Sequence, residues 1–266
     1  MNRFQRETAA LPLGDGRFAA RIDSGWWIVR GPNGGYVAAI VLRAMSEAVG
    51  DPARTPRSFT VHFTSPPVEG PAEVRTTVER AGRTMTTVSA RLEQGGKLRA
   101  VALAAFGTAR RGPELRDATM PEVVPPERAE PLLRPVADIP LRQRYESRSA
   151  FGAIGARAAE AATGGWIRLR EEPQGVSAPL VAAYTDAWPP AVFTRIDPTG
   201  LVGGVPTVDL TVHFRAEWPA HLDPTDFALV VFRSRVAHAG FVEEDGEVWT
   251  RDGLLLAQSR QLAVIG

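Results

Sequence analysis

Two stretches decide how this chain is read: Ser58-Phe-Thr-Val-His-Phe-Thr-Ser65 and Asp209-Leu-Thr-Val-His-Phe-Arg-Ala216. Both carry Thr-Val-His-Phe, and their histidines, His62 and His213, stand 151 residues apart. The likeness continues on either side. Upstream, Gly35-Tyr-Val-Ala-Ala-Ile40 matches Pro179-Leu-Val-Ala-Ala-Tyr184 at an offset of 144. Downstream, Leu103-Ala-Ala-Phe-Gly107 matches Leu262-Ala-Val-Ile-Gly266 at an offset of 159. Three matches in one order, with offsets drifting by a loop's worth of residues, indicate a duplicated unit, which has to be recognised before elements are assigned.

Each unit reads alike. In the first, a strand at Gly25-Trp-Trp-Ile-Val29 and the Gly-rich turn Gly31-Pro-Asn-Gly-Gly35 precede a helix over Tyr36–Val49, ended by Gly50-Asp51-Pro52. Alternating and β-branched residues then predict strands at 57–64, 72–81, 84–94 and 97–107. The second unit predicts a strand at Trp166–Arg170 and a helix over Pro179–Trp188, stopped by Pro189-Pro190. Strands follow at 206–216, 226–238, 241–250 and 253–264, with hairpin turns at Glu244-Asp245-Gly246 and Arg251-Asp252-Gly253. The expected fold class is α+β, a tandem double hotdog. Two long helices are each wrapped by an antiparallel sheet, and the sheets join edge to edge into one, which satisfies their edge strands. The expected domains are 1–107, a Pro-rich surface connector over 108–142, and 143–266.

Composition narrows the chemistry. The 266 residues suit one large domain or two small ones. Lys and Arg number 31 against 30 acidic residues, so nothing suggests a nucleic-acid footprint. Cysteine is absent, which removes disulfides, thiolate metal sites and a Cys nucleophile. The four histidines, His62, His213, His221 and His238, show no metal-ligand spacing, so neither a metal nor another cofactor is expected. The N-terminal stretch has no apolar core of a signal peptide, and no apolar run reaches the length of a membrane span. The expected location is cytoplasmic.

The two units differ informatively. Asp186 in the second helix aligns with Leu42, Thr207 with Pro56, and Gln261 with Ala102. Three apolar positions of the first unit are polar in the second, all in core-facing elements. A buried carboxylate is costly unless it is hydrogen-bonded, so three such residues point to one polar site in a pseudo-symmetric shell. Taken singly, Asp186 as a helix-end residue, Thr207 as a β-branched strand residue and Gln261 as an outward edge residue remain open.

The chain resembles the acyl-CoA thioesterase II-like family of double-hotdog enzymes. The resemblance covers most of its length. It rests on Arg30-Gly-Pro-Asn-Gly-Gly-Tyr-Val-Ala-Ala39, Tyr184-Thr-Asp-Ala-Trp188, Pro206-Thr-Val-Asp-Leu-Thr-Val-His-Phe214 and Asp252-Gly-Leu-Leu-Leu-Ala-Gln-Ser-Arg-Gln261. It departs where the family's His after the Thr-apolar-Asp run is Leu210, and where Asp186 is followed by Ala-Trp-Pro-Pro. The resemblance implies hydrolysis of acyl-CoA by a water that Asp186, Thr207 and Gln261 hold and activate. Backbone N–H groups of Gly34, Gly35 and Tyr36 at the start of the first helix are candidates to receive the oxyanion. Trp26, Trp27, Trp188 and Phe193 are candidates to line an acyl channel or to pack the core. Arg30, Arg57 and Arg83 are candidates to meet coenzyme A phosphates. The expected partner is acyl-CoA, with pairing into a homodimer. Two rivals stand: a non-catalytic acyl-CoA-binding protein and an enoyl-CoA hydratase, the latter disfavoured because no His lies near Asp186.

Overall fold

The computed structural model describes residues 1–132, 139–171, 176–201, 204–216 and 226–266. His221 and part of the expected connector, 133–138, lie outside the described residues. The first part of the chain contains α1 (Arg3–Glu7), β1 (Leu11–Gly14), β2 (Arg17–Ile22), α2 (Gly34–Val49), β3 (Thr55–Phe63), β4 (Gly70–Ala81), β5 (Met85–Gln94) and β6 (Lys97–Gly107). Then come β7 (Glu130–Pro131), β8 (Tyr145–Phe151), β9 (Ala161–Leu169), α3 (Ala178–Tyr184), β10 (Thr207–Phe214), β11 (Ala228–Ser234), β12 (Ala237–His238), β13 (Phe241–Trp249) and β14 (Leu255–Val264).

The described strands form one antiparallel sheet whose order reads alike from its middle outward. On one side of the centre lie β3, β6, β5, β4 and β2; on the other lie β10, β14, β13, β11 and β9. At the centre, Thr60 pairs with Thr211, its repeat mate, and the two hydroxyls are 3.0 Å apart. The Thr-Val-His-Phe motif is thus the seam of the molecule. Alternation sends Phe59, Val61, Leu210 and Val212 into the core, while His62 and His213 face out.

Helix α2 starts where Asn33 caps it, its Oδ1 accepting the Tyr36 N–H at 3.1 Å, and ends at Gly50 in a left-handed conformation. Its residues from Gly35 to Leu42, with Ala44 and Met45, are buried against the sheet and α3. An all-apolar face on a helix this long is what a wrapping sheet requires.

Four expectations are corrected. The stretch 25–29 is no strand: Ser24–Trp26 forms a 3₁₀ turn capped by Asp23, and only Trp27 makes an isolated bridge, to Pro32. The strand in that place is β2. The second helix is short, seven residues where Pro179–Trp188 was expected, so the described residues hold one long helix instead of two. It stops because the Thr185 hydroxyl takes the Ala182 carbonyl at 2.7 Å, and Asp186 turns its carboxylate toward α2. Glu244-Asp245-Gly246 is no turn but the middle of β13. Gly246 is needed there for close approach, since a Cβ would stand 2.9 Å from the Phe232 ring. Finally, Gln261 is not the mate of Ala102. Leu210 and Phe59 are mates across the seam; Leu210 pairs with Gln261 and Phe59 with Ala104. Ala104 is the mate, equally small and buried.

Of the connector, 108–125 carries no regular structure and is largely exposed, and it touches the second half where Trp166 Nε1 donates to the Val124 carbonyl at 2.7 Å. Among the described residues, no helix is long and apolar enough to cross a membrane.

Candidate functional site

The N-terminus of α2 meets the C-terminal end of α3, and they touch closely. A Cβ on Gly35 would stand 2.6 Å from the Ala183 carbonyl oxygen, and one on Gly34 3.0 Å from Asp186 Oδ2. Only glycine lets the two backbones and the carboxylate come this near.

Asp186, the second residue past α3, is bound there through one of its oxygens. Oδ2 accepts the Gly35 N–H at 2.9 Å and Asn33 Nδ2 at 2.8 Å, and Asn33 Nδ2 also reaches the Asp186 carbonyl at 2.7 Å. The Gly34 amide further steadies the charge. Oδ1 faces the other way, 3.4 Å from Thr207 Oγ1. Burial raises the Asp186 pKa to about 6, against the pull of these donors. A carboxyl that is mostly ionised at neutral pH, with Oδ1 met by a single long contact from Thr207, can accept a proton.

Thr207 sits at a β-bulge: pairing with β14 slips between Thr207 and Asp209, as pairing of β3 with β6 slips between Pro56 and Ser58. The bulge aims the hydroxyl inward at the head of the strand. Thr207 Oγ1 lies 3.1 Å from Gln261 Oε1. Gln261 lies on the buried face of β14, and its Nε2 donates to Glu244 Oε1 at 2.8 Å. Glu244 Oε2 in turn accepts the Ala191 N–H at 2.5 Å. Burial raises the Glu244 pKa to about 7; the Ala191 amide and Gln261 oppose the rise, and Asp186 and Glu243 add to it.

The structure therefore brings Asp186, Thr207, Gln261, Gly34 and Gly35 together. Tyr36 belongs to the same helix start, but its N–H is taken by the Asn33 cap. Trp26 lies in the core, stacked on Tyr36 at 5.1 Å, and Trp188 is buried with its Nε1 on Thr163. Trp27, Phe193 and Arg57 are half-buried, while Arg30 and Arg83 are exposed. Sequence reasoning missed two residues. Asn33 was read only as part of a turn, although Asn just before a helix is an N-cap signal. Glu244 was hidden by its Glu-Asp-Gly setting. Its mate across the seam is Val88, which pairs with Ala104 as Glu244 pairs with Gln261.

Residues 23–108 match the family model described as the acyl-CoA thioesterase N-terminal domain, and residues 117–265 match its C-terminal domain. Among solved structures, an Alicyclobacillus acidocaldarius protein of unknown function with the hot dog fold superposes with a TM-score of 0.88 at 28% identity, covering 100% of this chain and 98% of that one. A thioesterase II candidate from Thermobifida fusca gives 0.84 at 28% identity with the same coverage. A curated thioesterase-like protein, TwmA of Talaromyces wortmannii, is 35% identical over 97 residues, 36% of this chain. That alignment spans only 28% of the Talaromyces protein.

Proposed function

The chain belongs to the acyl-CoA thioesterase family, and from that premise we propose that it hydrolyses an acyl-CoA thioester with a water activated by Asp186. One observation carries this reading: Asp186 Oδ2 is saturated by Asn33 and Gly35, while Oδ1 is left facing the Thr207 and Gln261 side chains. In this reading the water donates one proton to Asp186 Oδ1 and the other to the lone pairs of Thr207 or Gln261. Its oxygen attacks the thioester carbon. The carbonyl oxygen takes up negative charge against the N-terminus of α2, where the partial positive charge of the helix and the Gly34 and Gly35 amides are the candidate donors, the Tyr36 N–H being held by Asn33. Gly34 and Gly35 would then be shared between the carboxylate and the oxyanion. As the intermediate collapses, the C–S bond breaks and the proton on Asp186 passes to the departing sulfur. The products are the free acid and coenzyme A, and no cofactor takes part.

The hydratase rival needs a His beside the carboxylate. His62, His213 and His238 are exposed, with His62 and His213 on the outer face of the sheet.

The test is free-thiol release from a panel of acyl-CoAs, short to long and aromatic, with wild type beside Asp186→Ala. The expected loss in the variant is about 10²-fold or more in kcat, and wild-type kcat/KM should fall as pH drops toward and below about 6, where Asp186 takes up a proton. Turnover untouched by the substitution would remove Asp186 from the reaction. No turnover on any substrate, in folded protein that binds acyl-CoA, would favour a binding protein.

A further inference from the structure

Glu244 is a buried carboxylate with no apparent reason to be in an apolar sheet face. Its mate across the seam, Val88, shows that the fold does not need it. It does not reach Asp186 or Thr207 by a hydrogen bond; both its oxygens are spent, one on the Ala191 N–H and the other on Gln261 Nε2. The polarity of this chain of bonds is dictated by chemistry. A backbone N–H can only donate, and an ionised carboxylate can only accept. Glu244 must therefore be met by the NH₂ end of the Gln261 amide, which sends the Gln261 carbonyl oxygen toward Thr207. A threonine hydroxyl has one hydrogen. Gln261 Oε1 at 3.1 Å is the nearer of its two acceptors, Asp186 Oδ1 lying at 3.4 Å.

We propose that Glu244 is a positioning residue: it fixes the Gln261 amide so that Thr207 donates to Gln261 and Asp186 Oδ1 stays free for the water's proton. The proposal rests on the reading of Asp186 as base and adds a residue that touches neither water nor substrate. Reversing the polarity at Glu244 reverses everything downstream. A group at 244 that donates to Gln261 is met by Oε1, the amide turns its NH₂ to Thr207, and the Thr207 hydrogen swings to Asp186 Oδ1 and occupies it. Protonation of Glu244 has this effect. The charged groups that bear on it are Asp186 from the end of α3 and Glu243 from its own strand, and Glu243 is itself held by the amides of Arg235 and Val236.

The experiment is Glu244→Gln in the full-length protein. Glutamine keeps the shape, accepts the Ala191 N–H with its oxygen, and offers NH₂ to Gln261. The expected result is a fall in kcat of about tenfold to a hundredfold, part of the contribution of a general base, with KM unchanged because the substrate loses no contact. The acid limb of kcat/KM, which in wild type spans two ionisations, should span one in the variant and move to lower pH. Wild-type kcat and an unaltered limb in Glu244→Gln would overturn the positioning role and leave the thioesterase reading standing. The side-chain amide resonance of Gln261, assigned by its loss in Gln261→Met, gives a readout without turnover. It should move in Glu244→Gln and titrate with pH only in wild type. A resonance indifferent to both overturns the proposal even if no acyl-CoA is hydrolysed.

Discussion

Asp186 is held where its charge is useful and costly. Unfolded, its carboxyl titrates near the ordinary 3.8; folded, burial raises it to about 6. The folded state therefore binds the proton more tightly, and stability from this group is full below pH 4 and lost as pH rises to 6 and beyond. A shift of this size corresponds to roughly 3 kcal/mol at most, reduced because the residue keeps part of its surface open to solvent. Asparagine at 186 retains an oxygen for Gly35 and Asn33 and carries no charge. Asp186→Asn should match wild type in urea unfolding at pH 4 and exceed it by about 1–3 kcal/mol at pH 8, with catalysis lost. Equal stability at both pH values would mean that the carboxylate is not penalised. The residues of this site were legible in the sequence to different degrees. Asp186, Thr207 and Gln261 stood out because their aligned positions in the first unit are apolar. Glu244 carries the same asymmetry against Val88, but its acidic, Gly-containing neighbourhood imitates a turn, and only strand register separates the two.

At the scale of elements, the junction of α2 with α3 sets the geometry. Helix α2 was legible because its cap, its apolar run and its Gly50 terminator agree. Helix α3 was overextended, since Asp186-Ala-Trp188 continues an apolar pattern while the Thr185 side chain and the pull of Asn33 on Asp186 end the helix sooner. Neither effect has a local signature in sequence. The tightness of the junction can be probed through its two glycines. A Cβ at 35 meets backbone, the Ala183 carbonyl at 2.6 Å, and the helices must part to admit it. A Cβ at 34 meets side chains, Asp186 Oδ2 at 3.0 Å and the Phe63 ring at 3.1 Å. Gly35→Ala should therefore lose about 1–3 kcal/mol of stability as an overpacked contact does, visible as a lower urea midpoint. Gly34→Ala should lose less stability and proportionately more kcat, because the carboxylate itself has to move. The opposite ranking in stability would place the close contact elsewhere.

For the whole molecule, duplication gives two equivalent places for a site, and only one is furnished. Carrying the repeat across the seam, Asp186 corresponds to Leu42, Thr207 to Pro56, Glu244 to Val88 and Gln261 to Ala104, all buried. The donor side is dismantled as well. Gly35 corresponds to Pro179, which has no N–H, and Asn33 to Ser177, which makes no capping bond through its side chain. The seam itself was readable from one tetrapeptide. The outer strands β1, β2 and β8 were not: β1 is exposed throughout and β8 is half-buried along most of its length, so neither alternates between two faces, and the strand that is β2 was sought at 25–29. An empty mirror position has a consequence that can be measured. Leu42→Asp puts a carboxylate at a fully buried point with neither of the donors that Asp186 enjoys, so it should cost several kcal/mol of stability as an unpaired buried charge. Placed in the Asp186→Ala background, it should restore no thiol release at all. Recovery of turnover there would mean that the first half keeps latent donors, and that the asymmetry of four side chains does not confine catalysis to one place in the chain.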